Sequence, residues 1–280
     1  MKIDSIEITS GSGLSIVSYL DTRARTDRYV LTGATGLSVD EIQNLGYTAT
    51  IGNTYTRFQS MAPSKRVMVF KFRLNPKWEL MDSYSSLRDH LYKMISGSRD
   101  GRVTVAFRLG PVVVAEALGS VTKFENDLFS NNQEVTLTIE CQNAIFSSPE
   151  SVLVDTETMP SGTIQITDSL STAPHGLYLR GVCVGEPFPY FAIVDEAYTW
   201  MFWLSLSSIG GFIAGDIITI SNVGSDKHIS LERDGNTYNV AQVLLPSSVW
   251  PMIFPGENSF EHSGTVDWEE VSYKHTYWGV

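Results

Sequence analysis

The chain has 280 residues, 42% hydrophobic and 18% charged, a balance that supplies a sizeable core and excludes a disordered chain. Its net charge of −11 is uneven: residues 1–150 hold 16 Lys and Arg against 16 Asp and Glu, whereas residues 151–280 hold 4 against 15. A half whose cations are Arg180, Lys227, Arg233 and Lys274 cannot neutralise a row of phosphates, and its acidity disfavours anionic lipid.

In chain order, the first segment carries Lys2, Asp4 and Glu7 where a secretory leader would be apolar, so no signal peptide is expected. Arg23, Arg25 and Arg28 alternate with Asp27 in a mixed-charge run suited to contacts between subunits. Tyr55 to Pro63, with Arg57, Phe58 and Met61, reads either as a protruding hairpin or loop that grips a neighbour or as a plain surface loop. Arg66 to Leu74 alternates strictly, Met68, Phe70, Phe72 and Leu74 in one register and Lys71 and Arg73 in the other, which predicts a strand with one wet face. Leu80, Tyr84, Leu87, Leu91 and Ile95 then recur at helical spacing, with Asn75 as cap, Pro76 in the first turn and Gly97 at the exit. One helix packed on a sheet is expected there. Strands are predicted again over Arg102–Leu109, around Val121–Phe124, and over Glu134–Cys141.

Residues 147–162 gather Pro, Ser and acidic side chains and form a natural seam, which divides the chain into domains 1–150 and 151–280. Beyond it come short strands near 162–166, 176–180, 216–220, 228–231 and 266–278. Turn signals at Asp234-Gly235-Asn236 and Pro255–Asn258 space them as in a β-sandwich. The most apolar run, Tyr198 to Leu204, is far shorter than the roughly 18 residues of a membrane helix, and no membrane anchoring is expected.

Chemistry is sparse. His90, His175, His228, His262 and His275 stand singly, and Cys141 and Cys183 fall in different halves, so neither a metal site nor a disulfide framework is predicted. No phosphate-binding Gly-rich loop is present, and Gly11-Ser-Gly-Leu-Ser15 has the wrong spacing for a nucleophile elbow. Ser120-Val-Thr-Lys123 matches a Ser-x-x-Lys pattern but reads as strand, where that chemistry needs a helix start. Asp267, Glu269 and Glu270 beside Trp268 are the candidate carboxylates for glycoside hydrolysis, but alternation sets Asp267 and Glu269 opposite Val266 and Trp268, which favours a solvated strand face. In the aromatic cluster Tyr198, Trp200, Phe202 and Trp203, the even register with Leu204 reads as core. Trp203, on the other register, and Trp250 are the candidate contacts to a partner or a sugar. No catalytic residue, metal or cofactor is assigned.

The order of segments in the first half resembles the belt domain of bacteriophage distal tail proteins. The resemblance rests on Asp27-Arg-Tyr-Val-Leu-Thr-Gly33, Thr35-Gly-Leu37, the strand 66–74, the helix with Leu87-Arg-Asp-His-Leu-Tyr92 and the strand after Gly101. It continues through Leu118 to Ser130 and through Glu134 to Cys141, closing on Phe146-Ser-Ser-Pro149. The second half looks like the galectin-like β-sandwich such proteins append, on Gly215 to Ile220, the Asp234-Gly-Asn236 turn, Phe254 to Asn258 and a closing strand ending at Tyr277-Trp-Gly-Val280. Loops such as 183–200 are longer and more aromatic than that pattern.

The resemblance implies a mainly β protein: a tail-tube-like β-sandwich or split barrel with one helix over the sheet, plus a galectin-like sandwich. It further implies a hexameric ring at the virion tail tip, made in the host cytoplasm, with a lumen that passes DNA and the tape-measure protein. The implied partners are further copies of the chain, the tail tube protein, a tail-associated tip protein or fibres, and a receptor-binding protein. A lectin-like host-recognition module and a β-sandwich glycoside hydrolase are the alternative functions.

Overall fold

Alternating sequence becomes strand wherever one face can be buried, and here that rule builds nearly everything. The computed structural model describes residues 3–20, 27–38, 42–48, 56–63, 66–97, 101–126, 133–141, 143–157, 159, 162–195, 201–224 and 226–280, with only the backbone of 42–48, 56–63 and 201. Among these residues the molecule is mainly β with one α-helix, the fold class expected from the alternation. The chain divides into two compact units, Met1–Pro149 with Tyr277–Val280, and Glu150–Thr276.

The first unit contains β1 (Ser5–Ser10), β2 (Ser15–Tyr19), β3 (Tyr29–Thr35), β4 (Ile42–Thr48), β5 (Thr56–Pro63), β6 (Val67–Leu74), α1 (Tyr84–Ser96), β7 (Arg102–Leu109), β8 (Val112–Asn126), β9 (Glu134–Cys141) and β10 (Phe146–Ser147). Its main sheet runs β2-β1-β7-β8-β9-β6-β3. The two edges of this order meet: the Leu31 N–H donates to the Ser18 hydroxyl at 3.0 Å, and the Tyr19 N–H to the Asp27 carboxylate at 2.7 Å. The sheet therefore curls into a split barrel whose seam is held by side chains rather than by a ladder. Met68, Phe70, Phe72 and Leu74 of β6 are buried, as their register requires, with Val135, Leu137 and Ile139 of β9 in the same core.

The helix joins that core through Leu87, Leu91 and Met94. It is tied to both barrel edges, because the Tyr29 hydroxyl donates to the Leu87 carbonyl at 2.9 Å and the His90 ring lies 3.2 Å from the Ser15 carbonyl. Its start differs from the expected one. Ser83 caps it, accepting from the Ser86 N–H while the Ser86 hydroxyl accepts from the Ser83 N–H, a reciprocal box that fixes the first turn at Tyr84. Asn75 instead donates to the Asp27 carbonyl, and Trp78–Leu80 form a short 3₁₀ turn that leaves Leu80 in solvent. Gly97 ends the helix with an ordinary φ of −71°; glycine fits there because a Cβ would run into the Ser12 hydroxyl.

The last four residues, expected to close the second half, belong to the first unit. Tyr277 lies in the first core, and the Val280 N–H donates to the Leu37 carbonyl at 3.2 Å. The buried Arg66 guanidinium gathers three distant carbonyls, Ala144 at 2.6 Å, Gly36 at 2.8 Å and Trp278 at 2.6 Å, and lies 4.2 Å from the centre of the Phe146 ring. A five-donor fork is the one side chain that can hold three such segments together.

The second unit contains β11 (Val152–Leu153), β12 (Thr163–Asp168), β13 (His175–Cys183), β14 (Tyr190–Asp195), β15 (Met201–Ser205), β16 (Ile217–Val223), β17 (Asp226–Arg233), β18 (Asn236–Asn239), β19 (Met252–Ile253), β20 (Gly256–His262) and β21 (Val266–Tyr273), and the chain ends with β22 (Thr276–Tyr277). Two sheets form, β11-β21-β13-β16-β17-β18, with β19 also on β13, and β12-β20-β14-β15. Ile164, Phe191, Phe202 and Phe260 from the smaller sheet share one core with Leu179, Ile220, Leu231 and Val271 from the larger, which makes a β-sandwich. The β17–β18 hairpin turns on Asp234 and Gly235, both at positive φ (51° and 74°), the two-residue geometry that an Asp-Gly pair favours.

Candidate functional site

The candidate assembly residues fall into three groups. Arg23 and Arg25 lie outside the described residues. Arg28, at the foot of β3, meets Asp82 at 2.8 Å, and Asp82 is itself held against the Lys77 N–H, so the guanidinium is engaged within its own subunit while still half exposed. Arg57, Phe58 and Met61 lie on β5, which pairs antiparallel with β4 in a two-stranded sheet of its own, with a bulge at Leu45/Gly46. Their side chains lie outside what the structure describes. Among the described residues the hairpin pairs with no third strand, and a two-stranded hairpin by itself is marginal in water.

Sequence reasoning missed a second surface beside Arg28. In the turn before α1, Trp78 is 76% exposed, Leu80 61% and Met81 93%. The turn itself is rigid: the Leu80 and Asp82 N–H groups donate to the Lys77 carbonyl at 2.9 and 3.1 Å, and the Met81 N–H donates to the Trp78 carbonyl at 3.0 Å. Met81 sits at φ 54°, the left-handed region that a side chain with a Cβ rarely enters. Three large apolar groups held to solvent on a strained, hydrogen-bonded turn are a candidate contact point. The periodic pattern hid it by assigning Leu80 to the helix stripe; the Ser83/Ser86 pair was the signal that could have separated them.

The aromatic candidates of the second unit are committed to packing. Trp250 packs on the core, 5.4 Å from the Phe202 ring centre, and Trp203 meets Tyr190 edge-on at 5.9 Å. The Trp203 backbone is pinned by Ser248 and Leu245, and its indole N–H is buried without a partner among the described residues. Tyr198 and Trp200 lie outside the described residues. Both Trp203 and Trp250 remain partly exposed.

The candidate catalytic groups do not assemble. Ser120 lies in the β8 ladder opposite Glu140, and Lys123 pairs with Glu125 at 2.8 Å in solvent. Arg180 bridges Glu269 and Glu232, each at 3.1 Å, on the outer face of the larger sheet, where Asp267 is also exposed. Among the described residues no group of His, Cys, Asp and Glu is arranged to hold a metal ion, and no helix is long and apolar enough to cross a membrane.

One cluster was invisible to spacing because His275 lies 107 residues from its partner Asp168. His275 Nδ1 lies 3.0 Å from Asp168 Oδ1, and His175 Nε2 lies 3.3 Å from Asp168 Oδ2. Burial pushes the Asp168 carboxyl up, but the Ser171 hydroxyl, the Ser171 and Leu170 N–H groups and His175 outweigh it and hold it below the usual carboxylate range. Burial keeps His175 below the usual imidazole range despite Asp168 and the Ala173 carbonyl. Ser171 Oγ lies 3.5 Å from the same His275 Nδ1 that faces the aspartate. A relay needs the two partners on different ring nitrogens, so this is no nucleophilic triad.

No protein-family model matches the chain, and no curated protein matches it. Among solved structures it is similar to the SPP1 Dit (gp 19.1) protein, described as a paradigm of the hub adsorption apparatus in Gram-positive infecting phages. The TM-score is 0.58 at 14% identity, over 96% of this chain and 98% of that one. The fold is that of SPP1 Dit. The likeness to Dit runs through both units, since either alone would leave nearly half of each chain unmatched. A chain of the phage p2 baseplate in its activated conformation aligns over 99% of both chains at TM-score 0.43 and 10% identity, too low to build on.

Proposed function

We propose that this chain is a non-catalytic structural hub subunit of a bacteriophage tail tip, in which the first unit closes into a hexameric ring around a lumen for DNA. The observation that carries the reading is the end-to-end likeness to SPP1 Dit, whose own description is that of a hub in an adsorption apparatus. A shared β-sandwich alone is a common event; a curled sheet with one helix followed by a sandwich, in that order over the whole length, is far less so.

Two features of this chain support a ring. The first unit carries the stand-alone β4–β5 hairpin and the Trp78–Met81 turn, different surfaces on one subunit, as a heterologous contact requires. The same unit is nearly neutral, with cations and anions mixed, so copies can abut without net repulsion. In this reading the ring faces the tail tube protein on one side and a tail-associated tip protein or fibres on the other. The second unit is a docking platform for fibres or a receptor-binding protein.

Light scattering on the full chain beside Trp78→Ser and Phe58→Ser variants tests the proposal. Self-association by the parent chain that either substitution weakens, with the thermal midpoint retained, supports it. Equal, monomeric masses for all three over a wide concentration range refute it.

A further inference from the structure

His175 has an unusual position for a buried imidazole. Its Nε2 faces Asp168 Oδ2 at 3.3 Å, and its Nδ1 faces the Ala173 carbonyl and the Thr276 hydroxyl, each at 3.4 Å. The Thr276 hydroxyl proton is already given to the Ala173 carbonyl at 2.7 Å. A neutral imidazole has one N–H: with it on Nδ1 the Nε2 lone pair faces a carboxylate oxygen, and with it on Nε2 the Nδ1 lone pair is satisfied only if the Thr276 hydroxyl turns to it from the Ala173 carbonyl. Only the imidazolium carries a proton on both edges, and burial opposes that charge.

The second imidazole removes the simple solution. His275, less deeply buried, lies 3.0 Å from the other oxygen of the same carboxylate. Among the described residues, the titratable groups seen to face this cluster are Asp168 from the end of β12, Tyr273 from β21, whose ring centre is 5.1 Å from that of His175, and His275 from the segment that follows. One carboxylate cannot neutralise two imidazolium ions. The cluster also grips the chain at a particular place. The Thr276 N–H donates to the buried Ser171 hydroxyl at 3.0 Å, the Thr276 carbonyl accepts from the Thr172 and Ala173 N–H groups, and the next residue, Tyr277, belongs to the other unit.

We propose that Asp168, His175 and His275 form a proton-operated joint in which acidification sets two imidazoles in competition for one buried carboxylate and loosens the Thr276 turn, where the chain leaves the second unit. The sign follows from linkage. A histidine whose folded form resists protonation takes up its proton more readily once the turn opens, so opening gains as pH falls below the ordinary imidazole value of 6.5. The joint is closed at neutral pH and opens progressively in mildly acid solution.

Native-state hydrogen exchange on the full chain reads this directly at the Thr276 amide, with the β7 amides as reference and intrinsic rates corrected for pH. Thr276 protection should fall by up to about 30-fold between pH ~7.5 and ~5, the β7 amides should not follow, and His175→Gln should flatten the response. Should that variant fold poorly, the His175 nitrogen chemical shifts in the parent chain serve instead. Titration of His175 below 6.5, in step with the loss of Thr276 protection, supports the joint. Constant Thr276 protection, a fall that persists in His175→Gln, or a His175 titration uncoupled from that protection would overturn it.

Discussion

The two units solve the same problem with opposite designs. In the first, a single sheet curls until its edges meet and α1 fills the gap, so one helix completes the core; in the second, two sheets share the core between them. Charge divides along the same line. The first unit holds 16 Lys and Arg against 15 Asp and Glu, a net of +1, and the second holds 4 against 16, a net of −12. A neutral, mixed surface admits close copies of itself, while a strongly acidic one keeps like surfaces apart, over about 10 Å at 0.1 M salt. The proposed division, self-association in the first half and partner docking on the second, follows the same line as the charge.

Each unit is stapled by one arginine, and each carries one buried cysteine whose thiol burial pushes up, Cys141 to about 11. These thiols are inert in the folded state, so each reports the opening of its own unit. Arg66→Met should have the largest effect, about 3–5 kcal/mol, because it strands three carbonyls. Cys141 should then react with a thiol reagent at lower denaturant while Cys183 does not move. Arg233 ties Asp216 (2.8 Å) to the Ile209 and Gly211 carbonyls, both at 2.7 Å, and Arg233→Met should reverse that order at about 2–4 kcal/mol. If both thiols shift together in either variant, the units are not separate cooperative bodies and the comparison fails.

Acid sharpens the contrast. Asp168 contributes stability that is present above its ordinary value of 3.8 and lost as pH falls through its lower folded value; His175 costs stability once pH falls below 6.5. Both lie in the second unit, so Cys183 should become reactive at lower denaturant at pH ~5 than at pH ~7, with Cys141 changing less. Ser83→Ala, which removes the α1 cap, should cost the first unit about 1 kcal/mol and appear at Cys141 alone. Lys123→Gln, at an ion pair more than half exposed on both sides, should change the Cys141 midpoint by less than about 0.5 kcal/mol.

What could be read from sequence was what one side chain or one period decides locally. β6, β7 and β9 were legible because burial of one face forces alternation, and the Asp234-Gly235 turn because positive φ selects its residues. The start of α1 was misplaced because Leu80 fits the helical spacing, while the Ser83/Ser86 box that sets the boundary is polar and quiet. The return of Tyr277–Val280, the three-carbonyl grip of Arg66 and the meeting of His175 with His275 depend on contacts between distant segments, which no local pattern encodes. Trp203 and Trp250 each make a ring contact within the sandwich while staying partly exposed, so register alone did not separate core from surface there.

Negative-stain images of the purified full chain address the hub reading most directly. Annular particles of about six subunits with an open centre, lost in the Trp78→Ser variant, are the predicted result. Isolated single-subunit particles at every concentration and salt, unchanged by that substitution, would contradict it.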